Sequence, residues 1–167
     1  SLLNQTPFSL TVDQKEVVAK AMHSYHSKDL RPILLHGITG AGKTEIYLTV
    51  IEGVLADHPK NQALFLLPEI ALTPQMAQRV EKKFPGLVSI IHSALPETEK
   101  ALQTQRIKTG QTRVLLGARS ALFAPFQKLK IIIVDEEHDS SYKQSSGFTY
   151  NGRDTAVVRG KMEEALV

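Results

Sequence analysis

The chain contains no cysteine, so it forms no disulfide and holds no cysteine-ligated zinc, and the redox compartment stays open. No apolar run approaches the roughly 20 residues that a membrane-spanning helix needs. The opening residues Ser1-Leu2-Leu3-Asn4-Gln5 lack the charged and apolar regions of a secretory signal. The expectation is a cytoplasmic protein with no membrane partner. Charge of one sign is also scarce. The balance of 20 Lys+Arg against 17 Asp+Glu gives +3, which permits contact with nucleic acid without demanding it. The six histidines suggest no metal cluster. His23 and His26 stand three apart on a predicted helix, but nothing else joins them. The N-K-x-D signature of guanine-binding proteins is missing, as are internal repeats and low-complexity tracts.

What is there suits one globular domain. A chain of 167 residues, 42% apolar and 22% charged, can bury a core without staples. Residues 1–10 read as a linker, and 11–167 as the domain. Val17, Val18, Ala21, Met22 and Tyr25 recur at helical spacing and predict a helix over 12–26. Residues 32–36 read as a short buried strand, followed by a Gly-rich turn and a helix over 43–56. Strands are then expected at 63–67, 88–92, 113–116 and 131–134, with helices at 74–84, 97–109 and 153–166. Apolar runs that do not alternate, each followed by a helix, mark a parallel sheet covered on both faces. The fold class is therefore α/β, a doubly wound, mostly parallel sheet. Ligands in such sheets bind at the carboxyl ends of the strands.

Gly37-Ile38-Thr39-Gly40-Ala41-Gly42-Lys43-Thr44 fits the phosphate-binding loop G-x-x-x-x-G-K-[ST]. Its glycines let the backbone curl so that N–H groups of Gly37, Thr39, Gly40, Ala41 and Gly42 point at phosphates. The following helix presents its N-terminus to the same anions. Lys43 reaches the β- and γ-phosphates of ATP, and the Thr44 hydroxyl ligates Mg²⁺. The competing reading is a chance glycine turn. The expected strand before and helix after argue against it.

Asp135-Glu136-Glu137-His138 follows the apolar strand at 131–134. Adjacent acids at the tip of a buried strand are costly unless a cation or substrate needs them. Asp135 is placed to hold Mg²⁺, and Glu136 to orient and deprotonate the attacking water. A solvated strand end is the bland alternative, and it weakens once a phosphate loop shares the sheet. His138 either senses the γ-phosphate or hydrogen-bonds at the start of the next loop. That loop interleaves Tyr142, Lys143, Phe148, Tyr150 and Arg153. Aromatic and basic residues so mixed suit stacking and phosphate contact with single strands. Alternatively, the rings pin the loop to the core.

Together these residues resemble the first RecA-like lobe of a superfamily 2 helicase, and more closely the family of primosomal protein N′, the bacterial replication-restart helicases. Four stretches carry the likeness. Leu66-Leu67-Pro68-Glu69-Ile70-Ala71-Leu72-Thr73-Pro74-Gln75-Met76 is similar to motif Ia. Gly117-Ala118-Arg119-Ser120-Ala121-Leu122-Phe123-Ala124-Pro125 is similar to motif Ib. Residues 131–144, IIIVDEEHDSSYKQ, resemble motif II with its aromatic loop, and Tyr150 with Arg153-Asp154 the end of that loop.

The resemblance implies DNA contacts by Thr73, Gln75, Arg119 and Ser120, and a loop with Tyr142, Lys143, Tyr150 and Arg153 that links DNA to hydrolysis. Thr73 has a second reading as a helix N-cap, and Arg119 and Ser120 as a helix cap or surface ion pair. The resemblance also implies that Gln14 reads adenine. Thr11-Val12-Asp13-Gln14 also fits a capping box. For the whole protein it implies ATP- and Mg²⁺-driven 3′-to-5′ unwinding of forked or single-stranded DNA, and partners among the primosome proteins and single-strand binding protein. Zinc is implied only in a cysteine-rich module beyond this chain.

In the RecA-like order, the strand after the acidic box lies between the phosphate-loop strand and the acidic-box strand. Val167 stands where that strand would begin. The lobe is therefore expected to be truncated at its C-terminal end, with an open place in its sheet whose unpaired edges invite another chain. Without the arginine finger of a second lobe, the chain alone is expected to be nearly inactive. The alternatives are another superfamily 2 motor (a RecG-like translocase or DExH RNA helicase), a small P-loop kinase or GTPase, and a nucleotide-dependent assembly module without motor activity.

Overall fold

The computed structural model describes residues 9–36, 41–135 and 150–167, with the backbone alone for Ala41, Tyr150 and Asn151. Its elements run α1 (Val12–Ser27), α2 (Ala41–Asp57), β1 (Gln62–Leu66), α3 (Pro74–Lys83), β2 (Val88–Ile91), α4 (Glu97–Lys108), β3 (Val114–Gly117), β4 (Leu129–Val134) and α5 (Tyr150–Glu163). Single 3-10 turns lie at Glu69–Ala71 and Arg119–Phe123. The four strands form one sheet in the order β2-β3-β1-β4, and every pair is parallel. This is the doubly wound α/β fold that the apolar runs predict.

The absence of alternation has a direct cause. On β1, Ala63 and Phe65, with Leu67 just beyond, pack with Ile51 and Val54 of α2 and Val80 of α3. Leu64 and Leu66 pack on the opposite layer with Ile107 of α4, Leu122 and Ala156 of α5. Both faces are dry, so both registers of the strand must be apolar.

One buried amide at the amino edge of this sheet is fully partnered. The Gln62 side chain is fully buried. Its Nε2 donates to the carbonyls of Ile107 (3.0 Å) and Thr112 (2.8 Å), and its Oε1 accepts from the N–H groups of Gln127 (2.8 Å) and Lys128 (2.9 Å). All four hydrogen-bonding positions of the amide are therefore used.

Two sequence expectations need correction. Residues 32–36 do not form a strand, and Ile33 and Leu34 are 42% and 71% exposed. The reason lies in their neighbour. Leu166 bridges to Ile131 in parallel, donating to Lys130 O (3.0 Å) and accepting from Ile132 N (2.8 Å). Val167 O then accepts from Ile33 N at 2.9 Å. Residues 165–167 thus occupy the place between β4 and residues 31–36. The hydrogen bond from Ile33 N does not by itself make the evenly spaced ladder of a parallel strand. The last helix also differs, ending at Glu163 rather than 166. Glu164 adopts φ 52, and the chain doubles back so that Ala165 N donates to Gly160 O at 2.8 Å. A Cβ on Gly160 would lie 2.2 Å from Val167 Cγ2, so the reversal needs glycine there.

Replacing Gln62 by Leu keeps the volume but leaves the buried Thr112 carbonyl and the part-buried N–H groups of Gln127 and Lys128 without this partner, while Ile107 O keeps the Gly110 N–H. The expected loss is about 2–4 kcal/mol of unfolding free energy, since each unsatisfied buried group costs about 1–3 kcal/mol. Urea unfolding measures it, and a loss below about 1 kcal/mol would show that the clamp is not holding the sheet.

Candidate nucleotide and nucleic-acid site

Strand register brings the candidate residues to one edge. Asp135 N donates to Leu66 O (2.9 Å), Leu67 N to Gly117 O (2.9 Å) and Ala118 N to Ile91 O (3.3 Å). The chain therefore leaves β4 at Asp135, β1 at Leu67, β3 at Ala118 and β2 at His92, all on the carboxyl side of the sheet. This is the side where open parallel sheets bind ligands.

The first turn of α2 carries Gly42, Lys43 and Thr44. Thr44 is buried and Lys43 half-buried. Tyr47, one turn further along, packs edge-on against Phe65, with ring centroids 5.6 Å apart. Burial first, and then the negative charge of Asp135, pushes the Tyr47 hydroxyl well above the ordinary tyrosine range. Asp135 is therefore near enough to α2 to be felt one turn from Thr44. An anion there also sits near the positive end of the helix.

Gln14 is buried and forms both halves of the capping box. Its Oε1 accepts from Thr11 N (2.8 Å), and Thr11 Oγ1 accepts from Gln14 N (3.2 Å). Its Nε2 also makes a long contact of 3.5 Å with Gly42 O, keeping the amide beside the head of α2. Thr73 caps α3, its Oγ1 accepting from Met76 N at 3.2 Å, with Pro74 in the first turn. Gln75 beside it is exposed. A cleft of about 190 Å³ opens under Thr73, walled by Leu72, Ala77, Ile90 and His92.

Arg119 and Ser120 are exposed on their 3-10 turn, while Ala121 and Leu122 of the same turn are buried. Gly117 makes this possible. A Cβ there would lie 2.5 Å from the Ala121 Cβ and 3.1 Å from Ile91 O. The turn is held from outside by Arg159 of α5, which donates to Leu122 O and lies over the Phe126 ring at 5.4 Å. Arg153 is exposed in the first turn of α5. Gly37, Thr39, Gly40, Glu136, His138, Tyr142 and Lys143 lie outside the described residues, as do the side chains of Ala41 and Tyr150.

Among the described residues no three His, Cys, Asp or Glu gather into a metal site. The candidate Mg²⁺ holders are Thr44 and Asp135, one hydroxyl and one carboxylate. That suits an ion that draws its other ligands from phosphate and water.

Three further groups at this edge carry little local sequence signal. Glu69 of motif Ia accepts from Ser93 N (3.1 Å) and Ser93 Oγ (2.8 Å), tying its turn to the exit from β2. Glu45 and Arg79 form an ion pair between α2 and α3. The only local hint was that Glu45 is a charge directly behind Lys43-Thr44 on a helix otherwise rich in apolar residues.

A parallel sheet with a Lys-Thr helix start and an aspartate sharing its carboxyl edge is the architecture of a helicase nucleotide-binding lobe. The chain belongs to the DEAD/DEAH box helicase family, whose profile matches residues 11–156. Within that family it is similar to proteins named replication restart protein PriA. It is 43% identical to the one from Bacillus subtilis over 93% of this chain and 19% of the relative. It is 44% identical to that of Haemophilus influenzae over 89% of this chain and 20% of the relative. The chain thus spans about a fifth of these relatives. A crystal structure of the DUF1998 helicase MrfA bound to DNA shares the fold, with a TM-score of 0.53 at 16% identity, over 78% of this chain and 20% of that one.

Because Gly117 leaves no room for a side chain, Gly117→Ala should cost about 1–3 kcal/mol through overpacking. Thermal melting reads this loss. An unchanged midpoint would mean that the Arg119–Phe123 turn adjusts without strain.

Proposed function

We propose that the chain is the ATP-binding first lobe of a 3′-to-5′ DNA helicase that acts in restart of stalled replication forks and in primosome assembly. The observation that carries this reading is that Asp135 leaves β4 at the carboxyl edge of the sheet, while α2, with Thr44 buried in its first turn, has its far end closed at the amino edge. The likeness to replication restart proteins supports the biological setting.

In this reading the backbone of Gly37, Thr39, Gly40, Ala41 and Gly42 cradles the phosphates, and Lys43 neutralises charge on the transferring group. Thr44 and Asp135 would hold Mg²⁺, whose charge would offset the negative charge that develops on the phosphates. Glu136, the next residue after Asp135, takes the proton of the attacking water. His138 senses the γ-phosphate. Gln14 reads adenine, which requires its amide to exchange the Thr11 N–H for the base. Thr73, Gln75, Arg119 and Ser120 track the DNA backbone, and Tyr142, Lys143, Tyr150 and Arg153 contact the single strand.

In the whole protein a second lobe supplies an arginine finger worth roughly 10³–10⁵ in rate. Zinc belongs to a cysteine-rich module outside this chain. The partners are DNA, other primosome proteins and single-strand binding protein, in the bacterial cytoplasm.

In the intact protein, Lys43→Ala should bring ATP hydrolysis to background. Glu136→Gln should still bind a fluorescent ATP analogue while hydrolysis falls about 10²–10⁴-fold, the range for loss of a general base. Hydrolysis at the unaltered rate in Glu136→Gln would remove Glu136 from this role. Unwinding assays on matched DNA and RNA duplexes separate the DNA motor from an RNA helicase.

A further inference from the structure

Two ion pairs join α2 to α3, and they are unequal. Arg79 holds Glu45 through both Nε (3.1 Å) and Nη2, with side chains only 31% and 19% exposed. Lys83 meets Glu52 at 2.6 Å, with side chains 37% and 56% exposed. Each helix packs more on the sheet than on the other, so these long side chains span the space between them.

The inner pair has a particular address. Glu45 directly follows Thr44, the buried hydroxyl at the head of α2. Arg79 lies one helical turn beyond Gln75 on α3, whose first turn is fixed by the Thr73 cap. Residues i and i+4 share a helix face. A displacement of the first turn of α3 therefore carries the Arg79 guanidinium with it. Both donors converge on the single oxygen Oε1, and a planar guanidinium so held fixes direction as well as charge better than a flexible ammonium. The carboxylate it grips is one residue from the candidate Mg²⁺ ligand. The outer pair is two turns further along α2 and more exposed, so solvent screens it and its side chains are less fixed.

We propose that Glu45 and Arg79 are a positioning pair that makes the nucleotide site answer to DNA. DNA held at Thr73 and Gln75 sets the place of α3, and the ion pair conveys that place to Thr44. This inference rests on the motor reading above, and adds to it the side chains that connect its two ligand sites. Neither residue touches nucleotide or DNA in this scheme, so neither is needed for the chemistry itself.

The experiment uses the intact protein and four variants, Glu45→Gln, Arg79→Gln, the double variant, and Glu52→Gln as the outer-pair control. ATP hydrolysis is measured with and without single-stranded oligodeoxythymidine. DNA affinity is measured by anisotropy with and without a non-hydrolysable ATP analogue. Stimulation by DNA, and the effect of the analogue on DNA affinity, should each fall about fivefold or more, the lower end of ordinary coupling between sites. DNA-free hydrolysis should stay within about twofold of the unaltered protein, a small part of that coupling range. Because the two residues act as one unit, the double variant should be no worse than either single variant. Glu52→Gln should keep full stimulation.

Full stimulation in Glu45→Gln and Arg79→Gln would overturn the proposal. So would equal losses with and without DNA, or additive losses in the double variant, because either marks a pair that only stabilises the fold. Melting temperatures identify a variant that is simply unfolded. In that event Arg79→Lys, which keeps the charge and loses the two-donor grip, decides the matter by the same assays, with full stimulation again overturning the proposal. Absence of stimulation in the unaltered protein would instead overturn the motor reading.

Discussion

The buried amide of Gln62 fixes the relative heights of the strands, and the rest of the site depends on those heights. Parallel strands have no hairpin to set their register. Here one side chain ties the start of β1 to the end of α4, the approach to β3 and the approach to β4. A one-residue slip would turn every side chain of a strand to the other face. It would also misplace its exit. Because β1 pairs Leu66 with Gly117 on one side and with Val134 on the other, Leu67, Ala118 and Asp135 leave the sheet close to one line. The geometry of the carboxyl edge is thus set at the opposite edge.

The two edges differ in chemistry as well. At the amino edge, most buried polar groups find partners within the protein, with Asn61 Oδ1 the exception among the described residues. Ser89 and Thr112 share a hydrogen bond between their hydroxyls. Arg113 donates to the carbonyls of Asn61, Leu55 and His58, closing the end of α2. Burial lowers its affinity for a proton, yet an arginine remains charged. Its cation therefore faces the negative end of the α2 dipole. At the carboxyl edge, Lys43 and Asp135 are half-buried, and Gln75, Arg119, Ser120 and Arg153 face solvent. Rigidity lies at one edge and ligand-accessible charge at the other.

Much of this was legible in the sequence because it is local. The four strands, the capping box at Thr11, the cap at Thr73 and the exit at Asp135 all follow from patterns within a few residues. Residues 32–36 show where local pattern stops. Ile33-Leu34-Leu35 reads as buried strand, but a strand exists only with a paired ladder, and Ile33 N bonds to residues 165–167 without forming one. The same holds for the end of α5. Nothing local announces a left-handed Glu164, and the clearance at Gly160 is explained only by Val167 returning over it. Gln62 is harder still, since an isolated glutamine at the head of an apolar run looks like a strand boundary. Its four partners lie 45 to 66 residues away.

The ion pairs between α2 and α3 belong to the same class of information. Glu45 and Arg79 are 34 residues apart, and each sits on a helix whose own pattern is complete without the other. Their meeting depends on β1, which places the end of α2 and the start of α3 at fixed distances along one sheet face. The chain passes from α2 through β1 and the Glu69–Ala71 turn into α3, so the covalent route between the two helix heads is long. Glu69 anchors that turn to Ser93 on the exit of β2, which restrains the covalent route further. In the proposed coupling, movement of α3 against α2 passes less through the backbone than through side chains that cross directly. Of the two crossings, only Glu45–Arg79 lies beside the head of α2. A lobe whose amino edge is locked by buried hydrogen bonds has little freedom there. Displacements imposed at the carboxyl edge are consequently resolved between the helix heads, where that pair stands.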